Sequence, residues 1–137
     1  MAIFDEAQEA YLNSHDLCVL GTARKDGSPQ LSMVNYVYDG SHLLMSVTKD
    51  RAKYPNIKRN PRVSVLVHDG RKQVIVYGTA EVFEGAERDE MIKRLREHMG
   101  NPLPPDTDPA RFSASLDRLK RIAIRVTPEK VLGDPNG

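Results

Sequence analysis

Tryptophan is absent from the 137 residues, cysteine occurs once, and only three residues are phenylalanine. The lone Cys18 has no intramolecular partner, so the fold does not rest on a disulfide and a reducing compartment is expected. Long apolar runs are missing as well. No stretch approaches the length of a membrane span, and the N-terminal MAIFDEAQEAYLNSHD is acidic, without the apolar centre of a secretion signal. These absences predict a soluble, cytoplasmic protein with no membrane partner. Nor does one sign of charge dominate. A net charge of +1 and a pI near 7.9 argue against the strongly basic character of a typical nucleic-acid binder.

The signatures of self-contained chemistry are also missing. Neither GxGxxG nor the P-loop GxxxxGK pattern occurs, which argues against a Rossmann or P-loop nucleotide site. His15, His42, His68 and His98 stand far apart, with no second His or Cys at ligand spacing, and no metal is expected. Ser113 and Ser115 lie in SAS, outside any GxSxG elbow, and the carboxylates form no recognisable pair. Without a nucleophile, metal or acid/base pair of its own, such a chain catalyses only through a bound cofactor. The protein then supplies position and electrostatics.

What is present concentrates in one place, Thr48 to Arg62 (TKDRAKYPNIKRNPR). Lys49, Arg51, Lys53, Lys58, Arg59 and Arg62 face a single acid, Asp50, so the basic charge is local. Asp50 reads as an N-cap and Pro61 as a stop, which predicts a short helix or helical turn made irregular by Pro55. Amides at a helix start, joined by Thr48 and nearby cations, suit a phosphate. The plain alternative is a solvated charged loop.

Around this segment the chain reads as strands and turns. Phe4, Ala7, Tyr11 and Leu12 recur at helical spacing between Asp5 and Ser14. Strands are predicted over Leu17–Arg24, Pro29–Asp39, His42–Thr48, Arg62–Asp69 and Gln73–Glu84, with Asp26-Gly27, Asp39-Gly40 and Asp69-Gly70 as turns. Gly78 inside the long fifth strand marks a bulge, a bend or a close approach. A helix over Ala86–His98 places Met91, Leu95, His98 and Met99 on one face and stops at Gly100. The loop Asn101–Pro109 carries four prolines, a short helix follows over Ala110–Leu119, and a last strand runs through Val126 until Pro128 ends it. Six strands mostly joined by hairpins, with three short helices, predict one mainly β domain (α+β class), a six-stranded antiparallel barrel.

The stretches GSPQLSMVNYVYDGSHLLMSVT, RAKYPNIKRNPRVSVLV, QVIVYGTAEV and IAIRVTPEKV, in this order, resemble the split β-barrel flavin and deazaflavin proteins related to pyridoxamine 5′-phosphate oxidase. PQLS on the second strand and RAK followed by N-x-x-R-x-P are similar to the branch that uses the deazaflavin coenzyme F420. That resemblance implies a homodimer with the cofactor in a groove between subunits. It also implies a reductase passing hydride between F420 and an unsaturated or quinone-like small molecule. An FMN-binding oxidoreductase of the same fold, or a non-catalytic flavin or haem carrier, is the alternative.

Carried over residue by residue, the resemblance implies that Thr48 and the Arg51-Ala52-Lys53 tripeptide hold the cofactor phosphate, with Asn56 beside them. The strand from Gln30 through Ser32, Met33 and Val34 to Asn35 runs along the ring, Val47 packs nearby, and Gln73 reaches the ring from the fifth strand. For Met33 and Tyr36, core or dimer packing is an equal reading. Lys58, Arg59 and Arg62 meet an acidic cofactor tail or simply face solvent. Three departures stand out. Ser32 and Val37 occupy positions where the oxidases place an Arg and a Lys for the FMN phosphate. The oxidases' substrate-binding Arg and Trp have no counterpart, which argues against oxidation of pyridoxamine phosphate. Arg71 and Gln73 stand where the deazaflavin relatives carry aromatic residues.

Overall fold

The computed structural model describes residues 3–137. Helix α1 (Glu6–Asn13) begins at Asp5, whose carboxylate accepts from the Gln8 amide while the Gln8 side chain accepts from the Asp5 amide, a reciprocal capping box. It turns Tyr11 and Leu12 inward. Strands β1 (Leu17–Ala23), β2 (Pro29–Tyr38) and β3 (Leu43–Thr48) form a meander. Helix α2 (Lys53–Arg59) leads into the hairpin β4 (Arg62–Asp69) and β5 (Lys72–Phe83), then α3 (Gly85–His98), α4 (Pro109–Arg118) and β6 (Arg121–Leu132). The antiparallel sheet closes in the order β1-β2-β3-β6-β5-β4, so β1 pairs with both β2 and β4. The turn glycines Gly27, Gly40 and Gly70 have φ of 87°, 97° and 63°, a region that side chains with a Cβ resist.

The interior is filled by alternate side chains of every strand, among them Leu20, Tyr36, Met45, Val65, Val76 and Ile124, each fully buried. Burying one such branched side chain is worth roughly 1.5–3 kcal/mol, so the barrel interior carries most of the apolar driving force. Tyr36 places its hydroxyl where it donates to the Leu12 carbonyl (2.7 Å), which ties α1 over one end of the barrel. Cys18 is in this interior, and burial pushes its thiol up to about 12, so it stays protonated and unreactive. A second apolar layer lies outside the barrel, where α3 and α4 cover Val37, Leu44 and Ala123 with Ile92, Leu95 and Leu116.

Several expectations need correction. Pro128 does not end the last strand. β6 continues to Leu132, and between Tyr77 and Gly78 the register jumps so that Gly78 faces Pro128 while Tyr77 faces Lys130. The bulge accommodates a residue with no N–H to give the ladder. It also explains Gly78, where a Cβ would lie 2.3 Å from the Thr127 carbonyl oxygen. Asp50 is not the N-cap of α2. That position is Ala52, without a side-chain cap, and the Asp50 carboxylate instead accepts from the Thr48 hydroxyl. Pro55 sits in the first turn of α2, where no intrahelical donor is required, so the helix tolerates it. On α3 the buried face is Arg88, Ile92 and Leu95, while His98 and Met99 are exposed. The face is rotated because Arg88 is drawn into the helix-sheet contact, which apolar periodicity alone does not register. Among the described residues, no helix is long and apolar enough to cross a membrane, and no cluster of three or more His, Cys, Asp or Glu side chains is placed to hold a metal.

Candidate functional site

The barrel is closed but opens locally. β2 pairs with β3 only through Tyr36–Tyr38 against Met45–Leu43, and below that point the two strands diverge. Gln30 to Asn35 therefore has β1 on one side and no strand on the other, while Ser46 to Thr48 has only β6 beside it. Such an unpaired edge offers backbone donors and acceptors to whatever lies in the gap. Along β2 the side chains alternate. Val34 points into the core, with Gln30 and Ser32 on the same face, while Leu31 and Met33 point outward, 69% and 61% exposed.

Helix α2 plugs the inner end of this gap. Asn56, only 5% exposed, donates to the Gln30 side-chain oxygen (2.8 Å) and to the Thr22 hydroxyl (3.1 Å), and its own oxygen accepts from Arg59 (3.3 Å). The polar groups of Asn56 and the oxygen of Gln30 are thus committed to one another. Their observed role is to fix α2 against β1 and β2. Val47 is likewise a core residue, 4% exposed. Of the ring-side residues, Met33 and Asn35 present side chains outward, Asn35 donating to the Asp16 carbonyl (3.1 Å), and Ser32 and Val34 can contribute backbone groups.

The basic corner lies at the end of β3. Three of its amides are already used: Lys49 donates to the Lys120 carbonyl (2.9 Å), Arg51 to Thr48 (3.2 Å) and Tyr54 to Arg51 (3.1 Å). An anion there must rely mainly on side chains. Lys49 is paired with Glu84, and Asp50 with Thr48, whose hydroxyl holds the Asp50 carboxyl below its usual range. Arg51 and Lys53 have no ion-pair partner among the described residues. Burial first, and the Arg51 charge second, hold Lys53 below the usual lysine range. Two close cations outside any ion pair, with the neighbouring Asp50 carboxylate turned to the Thr48 hydroxyl, form a site where a bound anion relieves like-charge repulsion. Ala52 is exposed beside them. The residues present therefore fit a phosphate-bearing group.

Gln73 is not part of this corner. It pairs with His68 at the start of β5, whereas Thr48 pairs with Arg121 at the opposite end of the barrel. Ten residues of strand separate Gln73 from Phe83, roughly 33 Å at the rise of a β-strand. Arg71 is exposed in the turn just before it. Conversely, Arg121 was not expected near the site. The cross-strand register with Thr48 brings it there, and that register becomes visible only once β6 is placed beside β3.

The sequence profile of the family described as pyridoxamine 5′-phosphate oxidase matches residues 4–133. The chain belongs to that family. A pyridoxine/pyridoxamine 5′-phosphate oxidase of Thermobifida fusca (strain YX) is 37% identical over 91 residues, 64% of this chain and 41% of the relative, so this chain spans less than half that relative's length. An F420 reductase has a similar solved structure: TM-score 0.72, 28% identity, 94% of this chain and 98% of that one. A conserved hypothetical protein from Mycobacterium tuberculosis gives TM-score 0.74 at 28% identity, over 94% of this chain and 83% of that one. A FAD-binding protein from Mesorhizobium loti gives 0.64 at 26%, over 90% and 88%. The closed six-stranded barrel with four short helices is the split barrel of this oxidoreductase family. Within it, the two departures on β2 acquire a physical meaning. Ser32 is half-buried and uncharged, and Val37 is 8% exposed beneath the helices, so neither position supplies a cation to a phosphate.

Proposed function

We propose that this member of the pyridoxamine 5′-phosphate oxidase family is an F420-dependent reductase acting on an unsaturated or quinone-like small molecule. The observation that carries the reading is the unpaired Arg51 and Lys53 beside Thr48, at the end of an open β2 edge whose own Ser32 and Val37 carry no charge. Bound reduced deazaflavin supplies the hydride. Thr48, Arg51 and Lys53 hold the phosphate, the backbone of Met33 and Val34 orients the polar edge of the ring, and Met33 gives it an apolar wall. Orientation is the main catalytic contribution, because hydride moves only over near-contact distances. Support comes from the F420 reductase of like fold. The FAD-binding relative favours a second reading, an FMN or FAD oxidoreductase on the same edge.

Isothermal calorimetry with F420 and with FMN tests this choice directly. The expected result is tighter binding of F420, and equal or stronger binding of FMN overturns it. The absorbance spectrum and mass of any small molecule that copurifies provide an independent check. Turnover of reduced cofactor with a panel of quinones separates an enzyme from a carrier.

The same reading includes a second copy of the chain. Across the outer sheet, Met33, Val19, Leu66, Ile75 and Leu132 fall in one cross-strand row, flanked by Leu31 and Tyr77. Leu31, Met33, Tyr77 and Leu132 are 69%, 61%, 40% and 45% exposed, a contiguous apolar surface of the kind an interface covers. Light scattering at micromolar concentration is expected to give twice the 15.4 kDa chain mass, and a monomeric mass contradicts the dimer.

A further inference from the structure

A pocket of about 410 Å³ lies beside the opening between β2 and β3, roofed by α3 and α4. Its walls are mainly apolar: Ile92 and Leu95 come from α3 and Met99 from its C-cap, Phe112 and Leu116 come from α4, with Leu119 just beyond it, and Asn101 adds a polar group. Its volume is in the range of small-molecule sites, roughly 300–1,000 Å³. Asn35 and Ser46, from the two strands that diverge, form its floor, so it abuts the open β2 edge.

Two arginines are set into this apolar lining, Arg96 in the last turn of α3 and Arg121 at the start of β6. No acid lines the pocket, and neither guanidinium has an ion-pair partner among the described residues. Arg96 Nε is buried and makes no hydrogen bond. A buried donor on a charged group left without a partner is costly, and native structures rarely tolerate one without a reason. Arg125 also has an unpartnered Nε, but its guanidinium is otherwise engaged, donating to Glu81 (2.9 Å) and lying over the Phe83 ring. Arg96 has no such engagement. An apolar cavity with two planar, unpaired guanidinium groups is complementary to an apolar body bearing one carboxylate, which accepts paired N–H donors in a single plane.

We propose that this pocket binds a small apolar carboxylate and, resting on the reductase reading above, that such acids are the class of acceptor presented to the cofactor. Calorimetry on cofactor-free protein with trans-cinnamate and with cinnamyl alcohol, which shares the body but lacks the charge, tests the pocket alone. Cinnamate is expected to bind saturably, one per chain, and about tenfold more tightly than the alcohol. Arg96→Gln and Arg121→Gln should each remove that preference, while Arg71→Gln, a cation in the distant turn, should leave it intact. Absence of saturable binding, equal binding of acid and alcohol, or wild-type preference in either arginine variant overturns the proposal. Titration of F420 into Arg96→Gln keeps the two readings apart. Unchanged F420 affinity supports an acceptor pocket, and its loss assigns the pocket to the cofactor and overturns it. Cinnamate binding in a protein that takes no F420 leaves the carboxylate site standing and removes the reductase reading.

Discussion

Arg88→Ala is expected to lower the thermal unfolding midpoint by about 10 °C, corresponding to a loss of roughly 3 kcal/mol. The side chain is 1% exposed and joins three elements. From α3, its Nε donates to Asp89 (2.9 Å), one terminal nitrogen donates to Asp117 of α4 (2.8 Å) and to the Arg121 carbonyl of β6 (3.2 Å), and the other reaches the Ser113 carbonyl and hydroxyl (both 3.3 Å). Alanine leaves a cavity, two backbone carbonyls without their donor, and a partly buried Asp89 without its counter-ion. The low end of the buried-pair range applies because the Asp117 side chain is 70% exposed and recovers water when released. Arg88→Met, which keeps the packing volume, should recover part of the loss. Arg94→Ala is the comparison. That arginine is 57% exposed and 3.8 Å from Asp39, so its removal should cost no more than about 0.5 kcal/mol. Equal melting of Arg88→Ala and Arg94→Ala would refute the account.

Arg88 also marks where sequence reading stops. In the sequence it is one more charge on a helix rich in charges, and only the packing of three distant segments around it shows that it is interior. Features set by local backbone chemistry were legible. The Asp-Gly turns, the strand positions and the special status of Gly78 each follow from one or two residues and their steric limits. Pro128 misled because proline ordinarily ends a strand. Here it occupies a bulge, and the bulge depends on Gly78, fifty residues earlier in the chain.

The candidate site divides in the same way. Thr48, Arg51 and Lys53 are close in sequence, at the exit of a strand, so their proximity was readable. Gln30 was read as lying along the ring and Asn56 beside the phosphate, and the hydrogen bond that ties the two side chains to each other could not be inferred from type and spacing. The resemblance of QVIVYG set Gln73 against the ring and not in the basic corner. The register puts it at the other end of β5, so within one chain it is remote from the basic corner. The pocket under α3 and α4 had no local signal, since its two arginines are separated by the proline-rich loop and a helix.

Lys53→Ala is expected to weaken F420 binding by about ten- to a hundredfold, the equivalent of the roughly 1.5–3 kcal/mol that a charge-assisted hydrogen bond contributes. The side chain is half-buried next to Arg51, and both factors disfavour its charge in the empty protein. A phosphate reverses the second factor, so part of the binding energy is relief of like-charge repulsion. For the same reason, alanine should leave folding unharmed: it removes a cation that gains nothing from its neighbours in the absence of ligand. A far-ultraviolet melt within a degree or two of wild type checks this half of the prediction. Lys58→Ala is the control, because Lys58 is exposed on α2 within the same run of positive charge. If a diffuse positive field attracts the cofactor, both substitutions lose similar affinity at low salt and both losses vanish at high salt. A fitted site gives a different pattern, in which the Lys53 loss persists at 0.5 M salt and the Lys58 loss does not. Wild-type affinity in Lys53→Ala, or parallel behaviour of the two variants across the salt series, removes Lys53 from the phosphate site.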